Sequence, residues 1–242
     1  ITAVFEKYSY ELNSLKLFVV RDYIDDLRIR NYVGALGCLL PVLSILGAAF
    51  SPNTIYPDWW TSISITYYSS PVLIAVLSGV AFFLIIYRGY DKWDTAVNTT
   101  AGIAAFGVVC FPCDASWLDS STLVGMFWLP GYITKWVHYA SAFILFLMLA
   151  INSLLLFSKS SNAKKNLVYK ICGYVILGDL VLFGLNAVFF HINWTIIVNE
   201  TIMLVAFGIS WLTKGHMFDK WFGVKAIAEQ SDSVSSTDSC NK

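Results

Sequence analysis

Residues Trp136–Phe157 read WVHYASAFILFLMLAINSLLLF, 22 positions without a formal charge. A helix of that length reaches about 33 Å, and a hydrocarbon core is about 30 Å thick. In lipid each backbone polar group must find its partner within its own segment, so the stretch predicts a membrane-spanning helix. Five further stretches read the same way. They run approximately from Tyr32 to Phe50, Tyr68 to Tyr87, Thr95 to Pro112, Leu167 to Phe190 and Trp194 to Thr213. The alternating pattern of an outer-membrane barrel strand is absent. The expected fold is all-α: a polytopic integral membrane bundle of six transmembrane helices.

Composition supports this. The 242 residues are 57% apolar and 13% charged. Soluble domains carry about 25% charged residues. Sixteen basic and sixteen acidic residues cancel, so the net charge is zero. These values exclude a nucleic-acid binder, a disordered chain and a disulfide scaffold.

The basic residues set an orientation. Lys7, Lys16, Arg21, Arg28 and Arg30 precede the first span, and Arg88 and Lys92 separate spans two and three. Lys159, Lys164, Lys165 and Lys170 lie between or at the edges of spans four and five. Lys214, Lys220, Lys225 and Lys242 follow the sixth. Only Lys135 falls on the other side. By the positive-inside rule both termini are cytoplasmic and the protein is a multi-pass protein of the cell (inner) membrane. The opposite loops carry Tyr56, Asp58, Trp59 and Trp60, then Asp114, Trp117, Asp119 and Trp128, a composition suited to an interfacial belt.

Three regions follow. Residues 1–30 lack the apolar core of a signal peptide. Phe5, Leu12, Leu15, Phe18, Val19 and Tyr23 recur at roughly helical spacing, which predicts a cytoplasmic amphipathic helix. Residues 31–215 hold the six spans. Residues 216–242 form a cytoplasmic tail, expected to be disordered after about Glu229.

Ionisable groups inside spans cost roughly 2.5–3.5 kcal/mol each at mid-helix and mark candidate sites. Asp179 lies near the middle of span five and Glu200 about two turns into span six. His138 opens span four and His191 closes span five on the same, outer side. Asn186 follows Asp179 by seven residues, which puts the two on one helix face. Ser62, Ser64, Tyr67 and Tyr68 stand at the outer mouth of span two, and Asn199 adjoins Glu200. The expectation is an outward-facing polar pocket. Glu200 and His138 would be an acid/base or ligand-contacting pair, and Asp179, Asn186, Asn199, Ser64, Tyr67 and Tyr68 would be its surroundings. The alternative is that these groups hydrogen-bond to one another as packing glue.

On the inner side Asp91, Asp94 and Asn98 fall at i, i+3 and i+7 along span three. They suit either a helix cap or a cytoplasmic gate. Ala101, Gly102, Ala104, Ala105 and Gly107 permit close helix approach and predict a central place for that span. Cys110-Phe-Pro-Cys113 is a CxxC pair, but an electron relay needs a second exposed pair, and the outer loops have none. Neither HExxH nor HxxxH occurs, so the sequence fixes no metal and names no cofactor. Asn193-Trp-Thr is a glycosylation sequon close against a span.

Several strings resemble a family of bacterial six-span membrane proteins of uncharacterised activity. They are Ser62-Ile-Ser64 with Tyr67-Tyr68 and Pro71, Tyr87-Arg-Gly-Tyr-Asp91 with Asp94 and Asn98, His138-Tyr-Ala-Ser-Ala142, and Phe207-Gly-Ile-Ser-Trp-Leu-Thr-Lys-Gly215. More distantly, the Ser-Ile-Ser string and the histidine opening span four resemble the Frag/DRAM/Sfk superfamily. That resemblance implies six spans and a link to lipid handling. Membrane lipids are the expected partners, with a homo-oligomer as an open alternative. The expected function is binding or modifying a lipid or amphipathic small molecule. Proton- or cation-coupled transport and a non-catalytic scaffold are the alternatives.

Overall fold

The computed structural model describes residues 2–51, 58–89, 91–190, 192 and 194–222, with side chains from residue 26 onward. Tyr56, His191, Asn193, Lys225, Lys242 and the tail after Glu229 lie outside the described residues. So do the side chains of Lys7, Lys16, Arg21, Phe5, Leu12, Leu15, Phe18, Val19 and Tyr23.

The chain is mostly helical. α1 runs Thr2–Ala49, α2 Val72–Ile86, α3 Lys92–Cys110, α4 Gly131–Ile151, α5 Ala163–Leu185, α6 Trp194–Lys214 and α7 Asp219–Phe222. A two-residue hairpin, β1 (Leu123–Val124) with β2 (Leu129–Pro130), precedes α4. Four helical stretches are long and apolar enough to cross a membrane: Asp26–Ala49, Gly131–Lys159, Ala163–Phe190 and Trp194–Lys214. α2 is apolar but has only 15 residues, and it follows a short 3₁₀ turn, Ser64–Tyr68. α1 is continuous through the point where a separate amphipathic segment was expected to end. Its 48 residues extend about 72 Å, more than twice a hydrocarbon core.

The first six helices form a closed ring. Each packs on its neighbours in sequence, and α6 closes back onto α1. Small residues make the closest contacts. A Cβ on Gly34 would lie 2.7 Å from the Leu212 nitrogen, and one on Gly208 would lie 2.6 Å from the Gly34 carbonyl oxygen. Gly102 admits Ile85 and the Ala81 carbonyl of α2, while Gly107 admits Ser141 of α4. The small residues of α3 therefore serve two flanks. This corrects the central place expected for that span: α3 is one member of the ring, between α2 and α4.

Leu84, Leu149, Ile176, Phe207 and Trp211 are buried within the ring. Trp211 meets the edges or faces of Tyr87, Phe157 and Phe207 at centroid separations of 5.1, 5.4 and 6.1 Å, the tilted geometry that aromatic rings favour. Two wide π turns extend the helices: Asn152–Leu156 continues α4 and Asn186–Phe190 continues α5. Such turns shift side chains out of helical register. The first buries the consecutive residues Asn152 and Ser153. Asn152 Nδ2 donates to Asn98 Oδ1 at 2.5 Å, and the Ser153 and Ser210 hydroxyls meet at 2.7 Å. A buried polar layer thus crosses the bundle near the start of α3, the turn after α4 and the last part of α6.

Candidate functional site

α4 and α6 make little direct contact. Between them, toward the start of α4 and the end of α5, lies a cavity of about 520 Å³. Its walls follow helical spacing: Trp136, Tyr139, Phe143 and Phe146 on α4, Leu180, Phe183 and Ala187 from α5 onward, and Ile196, Glu200 and Met203 on α6. The end of the cavity is polar, with Ser62, Ser64, Cys113, Asp114, His138 and Glu200. Trp136 and Phe143 line it and are also 68% and 51% exposed, so the cavity opens sideways along α4.

Glu200 is fixed by the chain before α2. Ser62 Oγ donates to the carboxylate at 2.9 and 3.0 Å, Ser64 Oγ at 2.9 Å and the Ile63 N–H at 2.5 Å. Ser62 Oγ in turn accepts from the Ser64 N–H at 3.0 Å. One residue earlier, the Thr61 carbonyl accepts from Ile197 N–H at 3.0 Å. That amide lies in the first turn of α6, where no intrahelical partner exists. The Ser-Ile-Ser string is therefore a carboxylate cradle stapled to α6 at two points. Thr66 Oγ1 donates to the Ile63 carbonyl at 2.6 Å and stiffens the turn behind it.

His138 is buried, and its Nδ1 donates to the Phe111 carbonyl at 2.8 Å. A carbonyl only accepts, so Nδ1 carries the hydrogen. The imidazole thereby anchors α4 to the end of α3.

Of the other expected residues, Ser64 lines the cavity, while Asp179, Asn186, Asn199, Tyr67 and Tyr68 are not among its lining residues. Asp179 is buried on α5, next to the lining Leu180, and its Oδ2 has no hydrogen-bond partner among the described residues. Asn186 closes the turn toward α6. Its Nδ2 donates to the Ile192 carbonyl at 3.1 Å, and its Oδ1 accepts from the Ile192 N–H at 3.0 Å. Asn199 is buried in α6. Tyr68 donates to the Cys113 carbonyl at 2.8 Å and packs edge-on against Tyr67 and Trp117, so the tyrosines brace the loop behind the cavity.

Cys113, Asp114 and Tyr139 join the site without having been singled out as pocket residues. Tyr139 has a sequence signal, since it follows His138 and stands three residues after Trp136 on the same helix. Cys113 and Asp114 come from a loop whose path no local pattern dictates. Cys110 and Cys113 are free thiols. Burial, reinforced by the nearby Glu200 charge, pushes the Cys113 thiol well above its ordinary value. That is opposite to the depressed value of a redox-active thiolate.

At the opposite end lies a second cavity of about 390 Å³, lined by Asp91, Asp94, Lys159, Lys165, Lys214 and His216, among others. Asp91 caps α3 by accepting from the Asp94 N–H at 2.8 Å. Asn98 instead turns into the bundle toward Asn152. Lys165 is buried and paired with Asp219 at 2.5 Å, and Asp219 also meets His216 at 2.6 Å. Among the described residues no three His, Cys, Asp or Glu side chains gather as a metal site. Comparison of the chain with protein-family models, with curated proteins and with solved structures returns no match.

Proposed function

We propose that the chain is a six-span protein of the cell membrane with both termini on the inner side, and that its outward cavity binds a lipid or other amphipathic small molecule. The observation that carries this reading is the division of the cavity into a polar end around Glu200 and a long apolar wall that opens sideways. An amphiphile has the same division. The volume lies within the 300–1,000 Å³ typical of small-molecule sites, which are mostly apolar with a few placed polar groups. The six-span topology rests on the ring of six helices together with the distribution of basic residues. Glu200 presents its carboxylate, Ser62 and Ser64 hold it, and His138 closes the end wall.

Native mass spectrometry of protein extracted from its own membrane tests the reading. The wild type should retain an amphiphile through purification. A side chain built at Gly184, which lines the cavity and has open space where a Cβ would stand, should displace it. Gly184→Phe is therefore expected to lose the bound mass while the protein still folds. Equal retention by both proteins would remove the cavity as the binding site.

Transport is a second reading, favoured by one arrangement. The two cavities lie at opposite ends of α4, α5 and α6, and the buried Asn98–Asn152 and Ser153–Ser210 pairs lie in the inner half. Proton or cation flux in liposomes that Asn152→Leu abolishes would favour it over binding alone.

A further inference from the structure

The charge balance of the outer cavity is one-sided. The carboxylates of Asp114 and Glu200 line it, and none of its described lining residues is Lys or Arg. Asp114 pairs with Lys135, whose Nζ lies 3.2 Å from its Oδ2. That pair is partly exposed, with side chains 26% and 47% accessible, and Lys135 is not a lining residue. Glu200 accepts from two hydroxyls and one amide, all of them neutral donors. His138 Nδ1 donates to the Phe111 carbonyl. Trp136, Tyr139 and Phe143 line the side opening on α4, and aromatic faces attract cations.

Resting on the amphiphile reading above, we infer that the head group this cavity takes is cationic: an amine or quaternary ammonium on a single alkyl chain. An anionic head would face two carboxylates with no cation inside the cavity to meet it. A neutral head would gain hydrogen bonds but leave Glu200 without a counter-ion. A cationic head supplies the missing charge at the carboxylate, while its chain lies along Phe146, Leu180, Phe183 and Met203. Entry is from the bilayer side, past Trp136 and Phe143.

The test compares three probes of equal chain length on the full-length protein in phosphatidylcholine nanodiscs: dodecylamine, dodecanol and dodecanoate. Dodecylamine should bind at least about tenfold more tightly than dodecanol, the step from a neutral to a charge-assisted hydrogen bond. Dodecanoate should bind worst. Glu200→Gln should abolish the preference for the amine over the alcohol. Should that variant fail to fold, Asp114→Asn provides the same comparison with a smaller expected loss. A single-chain lysolipid with an ethanolamine head, whose ammonium is joined to an anionic phosphate, forms a further arm. Weaker binding than dodecylamine supports a cationic head, and tighter binding would overturn it in favour of a zwitterionic membrane lipid. If all three dodecyl probes bind equally and Gly184→Phe abolishes all of them, the cavity binds amphiphiles but the cationic inference is overturned. If Gly184→Phe changes nothing, both readings fail.

Discussion

Glu200 takes its hydrogen bonds from chain that lies 136 to 138 residues earlier. That separation is why half of the site was legible and half was not. A carboxylate inside an apolar span announces itself in the sequence, and so does a histidine at a span's mouth. Nothing local says that Ser62 and Ser64 supply the donors, because their pairing depends on how the chain before α2 reaches α6. Asp179 and Asn186 illustrate the converse. Their seven-residue spacing predicts one face, and both are buried. Yet Asn186 spends its side chain on the Ile192 backbone at the turn. Cys113 offers a test at this scale. Its thiol is raised by burial, so the folded state holds the proton more tightly than the unfolded state. Its contribution to stability is full below the ordinary thiol value of about 8.5 and declines as pH rises above it. Maleimide at pH 9 should leave Cys113 unmodified in the folded protein and modify it after denaturation, read by peptide mass. Cys113→Ser should flatten the alkaline loss of stability.

The helices themselves were the most legible feature, because long uncharged stretches permit few alternatives. α4 and α5 lie where the apolar runs fall. The π turns were not legible. Asn152-Ser153 within an apolar run gives no local sign that both residues turn inward, and only their partners Asn98 and Ser210 explain it. Ring closure was likewise hidden, although its means are glycines in plain view. Gly208 carries the clearest consequence. A Cβ there would lie 2.3 Å from Cys38 Sγ and 2.6 Å from the Gly34 carbonyl oxygen. Gly208→Ala should therefore cost about 1–3 kcal/mol, the range for overpacking, and lower the melting temperature in detergent. Gly184→Ala, with nothing within 4 Å of its added methyl group, should leave the melting temperature unchanged or raise it slightly. Equal effects at both positions would mean that α1 and α6 do not pack as described.

At the scale of the molecule, the ring leaves two openings of different chemistry. The one at the start of α5 mixes carboxylates with lysines, and its lining residues Lys165 and His216 both pair with Asp219. The one at the start of α4 is acidic at its end, apolar along its wall and open to the side. The neutral sum of sixteen basic and sixteen acidic residues conceals this polarity, which depends on where charges lie rather than on how many there are. The central claim is that an amphiphile enters the outer opening sideways and lies with its head at Glu200. Photolabelling in native membranes with a single-chain amphiphile carrying a diazirine on its tail tests this most directly. The proposed binding mode predicts adducts concentrated on Phe143, Phe146, Phe183 and Met203, and their loss in Gly184→Phe. Adducts spread evenly over outward-facing residues such as Phe82, Ile103 and Val181, and unchanged by that substitution, would contradict it.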